Sequence, residues 1–247
     1  MTKRIRGTVL PIVLCCLVIL CAFTGTARAV DLSWGNCKYE QWFFGCIMSL
    51  KSNEYSEDHP VIIFLPGVAE CYDIAEAVQW MKNYHLYDYL DVDLITAAFW
   101  EEPLRTGEWE NLSANLLEFV KRRYEESEFT VILDTVSSGG YGGCVLTQML
   151  MENGIPVKEL NLADACVPNY VTEELITEIA ANGTQVNIWA GNNNSAVPEE
   201  TRRIVEELEG TENVNGVLLD VWHGEVLNRA IYEYGLHSEY IAEDQDP

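Results

Sequence analysis

Apolar positions in this chain fall into short continuous runs separated by stretches with helical spacing. Residues 61–65, Val-Ile-Ile-Phe-Leu, are apolar throughout and stop at Pro66-Gly67, which predicts a strand buried on both faces. Similar runs at residues 92–99, 129–133, 157–162, 186–190 and 214–220 predict five more strands. Between them, Trp109, Leu112, Leu116, Leu117, Val120 and Tyr124 recur with helical period. Residues 74–82 form another helical stretch, and a third runs through Cys144, Val145, Leu146, Met149 and Leu150. Val171, Leu175, Ile176 and Ile179 mark one face of a fourth. Pro198 stands at the start of a fifth, where its missing N–H costs nothing, and His223-Gly224 open a last helix through Leu227 and Ile231. Strands alternating with helices over this length predict one α/β domain, a mainly parallel sheet with helices on both faces.

The first 29 residues read differently. Lys3, Arg4 and Arg6 precede an apolar run at residues 9–23, and Ala27-Arg28-Ala29 has the small-x-small form of a cleavage site, so residues 1–29 are expected to be a signal peptide. The run is shorter than the roughly 20 residues that span a bilayer, and Pro11 lies within it, which argues against an anchor. The mature chain, 30–247, is expected to be secreted, with no stable membrane span after cleavage and an acidic tail at 243–247 that frays.

Charge then narrows the partners. The net charge is −24, and all 39 acidic residues follow residue 29 while four of the 15 cationic ones precede it, so a chain cut after Ala29 carries −28. Binding to phosphate backbones depends on cationic groups that displace counterions, which removes nucleic acid from the candidate ligands. Five cysteines remain in the mature chain: Cys37, Cys46, Cys71, Cys144 and Cys166. Cys37 with Cys46, or Cys71 or Cys166 with another, are open as disulfides, and sequence does not fix the connectivity. No cysteine or histidine spacing of zinc type is present, so neither a metal nor another cofactor is expected.

In open α/β sheets the chemistry stands beyond the carboxyl ends of the strands. After residues 129–134 comes Thr135-Val136-Ser137-Ser138-Gly139-Gly140-Tyr141-Gly142-Gly143. A serine between a strand and a glycine-rich helix start has the form of a nucleophile elbow, a sharp turn that lifts the hydroxyl into a cleft. A phosphate loop would need Gly-Lys-Ser/Thr, which is missing; a plain tight turn is the bland alternative. Four histidines occur, at 59, 85, 223 and 237, and of these His223 follows a strand's carboxyl end, where a catalytic base is needed.

These segments resemble a known family. Residues 137–142 are similar to the Gly-x-Ser-x-Gly-Gly elbow of α/β-hydrolase esterases. Leu65-Pro66-Gly67-Val68-Ala69-Glu70-Cys71-Tyr72-Asp73 and Leu162-Ala163-Asp164-Ala165-Cys166 look like segments of the pectin acetylesterase and Notum-like carboxylesterases. The resemblance implies an α/β-hydrolase-like fold with little or no cap domain, Ser137 as nucleophile, His223 as base, and the amides of Ser138 and Val68 as an oxyanion hole. Gly191 to Pro198 aligns with a Gly-x-x-Asp-x-x-Val-Pro loop that carries the acid, but here the position is Asn194. Asp164 is the replacement candidate, ahead of Asp220, and a helix cap is its bland alternative. A second departure is Thr135, where the elbow pattern has glycine and a β-branch crowds the turn.

The implied activity is hydrolysis of carboxylic esters through an acyl-enzyme. An uncapped cleft suits a short acyl group such as acetyl. Trp100, Trp189 and Trp222 fall near strand ends, where rings stack on sugars, so an acetylated carbohydrate is the substrate class suggested; Trp222, Trp189 and Tyr141 are the substrate-binding candidates. The competing expectation, raised by Thr135 and Asn194, is a catalytically weak or inactive binding protein on a hydrolase scaffold.

Overall fold

The computed structural model describes residues 38–42, 45–50, 60–67, 92–98, 107–124 and 128–240. The chain divides into units 1–32 and 33–247, and every described residue belongs to the second. The signal segment, helix 74–82, Val68, Trp100, His59, His85, Cys37, Cys71 and the acidic tail lie outside the described residues.

Eight strands build one sheet: β1 (Lys38–Trp42), β2 (Gly45–Leu50), β3 (Val61–Leu65), β4 (Asp93–Ala98), β5 (Val131–Val136), β6 (Val157–Ala163), β7 (Gln185–Ala190) and β8 (Val214–Leu218). Their order is β1-β2-β4-β3-β5-β6-β7-β8. The six from β4 to β8 pair in parallel, while β1 and β2 add an antiparallel hairpin at the β4 edge, Trp42 opposite Gly45 and Cys46 opposite Ala98. Sequence pattern found the six parallel strands from apolar runs, unbroken in Val61–Leu65 and interrupted by polar residues elsewhere, as at Asp134, Asn161 and Asn187. It missed the hairpin, whose first strand, Lys-Tyr-Glu-Gln-Trp, is largely polar.

Five helices are described: α1 (Glu108–Arg123), α2 (Gly139–Glu152), α3 (Glu173–Ala181), α4 (Ala196–Glu207) and α5 (Val226–Tyr232). In α1, Trp109, Leu112, Leu116 and Val120 are fully buried on one face. Acidic Glu108 and Glu110 in its first turn and Lys121, Arg122 and Arg123 in its last complement the helix dipole. Burying side chains of this kind stabilises by about 1.5–3 kcal/mol each, which is why the apolar stripe and not helix propensity decides where α1 lies.

Successive strand residues point to opposite faces. On β5, Thr135 packs against Gly143 of α2, whereas Asp134 meets His237 from the C-terminal segment, so both faces of the central strand are covered. Asp134, Asn161 and Asn187 stand in register on β5, β6 and β7. Asn161 Nδ2 donates to Asp134 Oδ1 at 2.9 Å, Asn187 Nδ2 donates to Asn161 Oδ1 at 2.9 Å, and His237 Nε2 lies 2.8 Å from Asp134 Oδ2. A buried polar row of this kind is stable only because each member has a partner. His237, which in sequence is merely near the tail, is therefore part of the core.

Candidate active site

β5 ends at Val136, and the chain turns sharply at Ser137, whose φ is +53°. A left-handed conformation is uncommon for a residue with a side chain and costs on the order of 1 kcal/mol or more, so the surrounding contacts must impose it. They do so on three sides. The Ser137 amide donates to Ala163 O at 3.4 Å, and its carbonyl accepts from the Gly140 amide at 3.1 Å. A Cβ built on Gly139 would stand 2.2 Å from the carbonyl oxygen of Leu65 and 2.7 Å from that of Pro66. Glycine there lets the exit of β3 cross directly against the first turn of α2.

Thr135 does not obstruct the elbow as sequence spacing suggested. It is buried, its hydroxyl donates to Asn161 O at 2.8 Å, and its methyl fills the space that glycine leaves at position 143, 2.5 Å from where a Cβ would be. The β-branch has been moved into the strand–helix interface and matched by a missing side chain opposite it.

Ser138 follows at the N-terminus of α2, 4% exposed, and its amide donates to no partner among the described residues. An unpaired amide at a helix start presents partial positive charge, the arrangement that stabilises an anion. The Ser138 hydroxyl is buried without a hydrogen-bond partner.

Asp164 closes β6 and is also left-handed, with φ +45°, a conformation that aspartate tolerates better than most residues. Its amide donates to Trp189 O at 2.7 Å, and the turn aims its carboxylate across the end of β7. Oδ1 accepts from the Gly191 amide at 2.7 Å, and Oδ2 lies 3.1 Å from His223 Nδ1. The carboxylate is fully buried, while the His223 side chain is 19% exposed. An ionised carboxylate only accepts, so the shared proton sits on Nδ1 and leaves Nε2 as an acceptor. His223 heads a short 3₁₀ turn, residues 223–225, after β8. The loop before it is stitched to β7: Leu219 donates to Ala190 O at 2.8 Å and Asn192 to Val221 O at 2.9 Å.

Of the sequence candidates, the structure joins Asp164 to His223 by a hydrogen bond and sets Ser137 at the neighbouring strand end. It closes no hydrogen bond between Ser137 and His223. Asn194 is exposed and makes no side-chain hydrogen bond, so it is not brought to the histidine. Asp220 is engaged with Asn192. Trp189 is 5% exposed and meets Tyr234 edge-on at 5.6 Å; it is a core residue, not the ring-stacking surface expected. Trp222 is 65% exposed. The Tyr141 hydroxyl donates to Glu110 Oε1 at 2.8 Å, and its ring meets Tyr170 edge-on at 5.1 Å. Burial, with Glu110 beside it, pushes the Tyr141 phenol up to about 12. Cys144 and Cys166 are buried free thiols, which removes Cys166 from the candidate disulfides; burial pushes the Cys144 thiol up to about 12 and Cys166 higher still.

A second Asp–His pair, Asp134 with His237, is the feature that sequence reading overlooked. Its histidine side chain is 1% exposed and meets the middle of a strand, so it has no access to a substrate. No group of three or more metal-ligating side chains is placed to hold an ion among the described residues, and no described helix is long and apolar enough to cross a membrane.

No family model matches the chain, and no curated protein matches its sequence. Solved structures match its shape. An esterase from Rhizomucor miehei superposes with a TM-score of 0.58 at 12% identity, covering 83% of this chain and 82% of that one. The carboxylesterase CesB from Bacillus subtilis gives 0.57 at 9% identity, over 84% and 91%. Carboxyl esterase 2 from Tuber melanosporum gives 0.56 at 10% identity, over 78% of each chain. The chain has an α/β-hydrolase fold. In this fold the serine turn after β5 and the histidine after β8 occupy the same end of the sheet.

Proposed function

We propose that this protein is a serine hydrolase of carboxylic esters, acting through an acyl-enzyme. The observation that carries the reading is the buried Asp164 carboxylate 3.1 Å from His223 Nδ1, at the same sheet end as a serine held at φ +53°. With Nδ1 protonated and held by Asp164, the free Nε2 takes the Ser137 proton as Oγ attacks the ester carbonyl. The step requires Ser137 Oγ to come within hydrogen-bond reach of Nε2 when substrate binds. The Ser138 amide receives the oxyanion, with the Val68 amide as the second donor that the family resemblance implies. His223 then protonates the leaving alcohol, and water releases the acyl group by the same steps in reverse order.

The finer assignment follows from the sequence: a secreted enzyme of the pectin acetylesterase and Notum-like branch, cleaving short acyl groups, acetyl above all, with an acetylated carbohydrate as the substrate class. Only residues 164–172 stand between β6 and α3, leaving no room there for a cap, and exposed Trp222 beside His223 offers a ring surface. The competing binding-protein reading rested on Thr135 and Asn194; the packing of Thr135 into the space at Gly143 and the contact of Asp164 with His223 support the enzymatic reading instead. The test is labelling with a fluorophosphonate: the expected adduct is on Ser137 and is lost in Ser137→Ala and His223→Ala. Absence of label, with no hydrolysis of a simple acetyl ester, would overturn the hydrolase reading and favour the binding role.

A further inference from the structure

Asp164 and the loop that carries His223 are both tied to the backbone segment that follows β7. Gly191, the first residue after β7, is wedged where no side chain fits: a Cβ would lie 2.8 Å from Asp164 Oδ2, 2.9 Å from Val221 O and 2.9 Å from Val226 Cγ2. Its amide donates to Asp164 Oδ1 at 2.7 Å. Its carbonyl accepts from Arg202 Nη1 at 2.6 Å, and the same nitrogen donates to Asn193 O at 2.9 Å. The intervening Asn192 amide is tied to Val221 O at 2.9 Å, one residue before the Trp222-His223 turn. A single half-buried guanidinium on α4 thus holds the Gly191–Asn192 peptide unit, whose N–H is tied to the loop before His223 and whose neighbouring unit gives the N–H that meets Asp164. Charged donors form the stronger hydrogen bonds, and here the two N–H groups of one guanidinium nitrogen hold two carbonyls at once.

We infer that Arg202 is a positioning residue for the Asp164–His223 pair, acting through Gly191. The inference rests on the reading of that pair as the acid and base of an ester hydrolase. The β7 loop, whose own acid position is Asn194, serves here as a backbone clamp on the acid supplied by β6.

The test compares Arg202→Ala and Arg202→Lys with the unaltered chain, using kcat and KM on p-nitrophenyl acetate and the proton resonance of His223 Nδ1–H in protein labelled at histidine nitrogen. The expected result for Arg202→Ala is a fall in kcat of about tenfold to a hundredfold, from sub-ångström misplacement, with KM within about threefold. The Nδ1–H resonance weakens or moves upfield, and Arg202→Lys recovers part of both. A folded Arg202→Ala protein with unchanged resonance overturns the inference, whatever its kcat. If Arg202→Ala does not fold, Arg202→Gln, which keeps one donor, is read by the same two measurements. Should the unaltered chain hydrolyse no ester, the proposed function falls, while the resonance still decides whether Arg202 holds the pair.

Discussion

Replacing Asp164 by Asn changes one atom of a buried side chain and separates the two candidate acids. Asp164 has two engaged oxygens: Oδ1 accepts from the Gly191 amide at 2.7 Å and Oδ2 lies 3.1 Å from His223 Nδ1. An asparagine must keep its oxygen toward Gly191, because an amide N–H facing another N–H would leave both unsatisfied. Its NH₂ group then faces Nδ1, which can only accept, so the imidazole proton moves to Nε2. That is the atom required to take the serine proton. Loss of the correct tautomer in a serine triad costs about 10⁴ in kcat, or about 5.5 kcal/mol of barrier at 1.36 kcal/mol per decade. The fold survives, since shape and the Gly191 hydrogen bond are kept. Asn194→Ala, by contrast, removes an exposed amide with no hydrogen bond and changes kcat less than about threefold. The assay is kcat on p-nitrophenyl acetate, with thermal melts to show that both variants are folded. Asp164→Asn within tenfold of the parent, or Asn194→Ala the more damaging of the two, would refute the assignment of the acid.

Three further outcomes are expected. Gly143→Ala drives a methyl into Thr135 Cγ2 and destabilises by about 1–3 kcal/mol; adding Thr135→Ser, which deletes that methyl and keeps the hydroxyl on Asn161 O, recovers more than half of the loss in chemical denaturation. His237→Ala strips Asp134 of a buried partner and lowers stability by about 3 kcal/mol, yet its folded fraction is still labelled by fluorophosphonate, whereas His223→Ala abolishes labelling. Cys144 and Cys166, buried and with their thiols held well above the ordinary range, resist alkylation at pH 8 in the native protein and react once it is denatured, as peptide mass mapping would show.

The amino-acid order by itself determined the parallel part of the sheet. A strand covered on both faces is mostly apolar, and Val61–Leu65, apolar at every position, announces itself without reference to any other part of the chain. It also determined the serine turn, because four glycines around Ser137 and Ser138 have few other uses, and the histidine, because His223 alone follows a strand among the four histidines. What sequence left open were matters of distance between remote segments. Whether Asp164 or the Asn194 position serves the histidine depends on where a left-handed turn at φ +45° points a carboxylate, and no local pattern encodes that. Thr135 looked obstructive because its partner, Gly143, is eight residues away in sequence and adjacent only once α2 packs on β5. Trp189 and His237 read as surface candidates or bystanders, and both proved to be interior. A side chain's environment is set by what the rest of the chain places around it, and tertiary packing alone decides that.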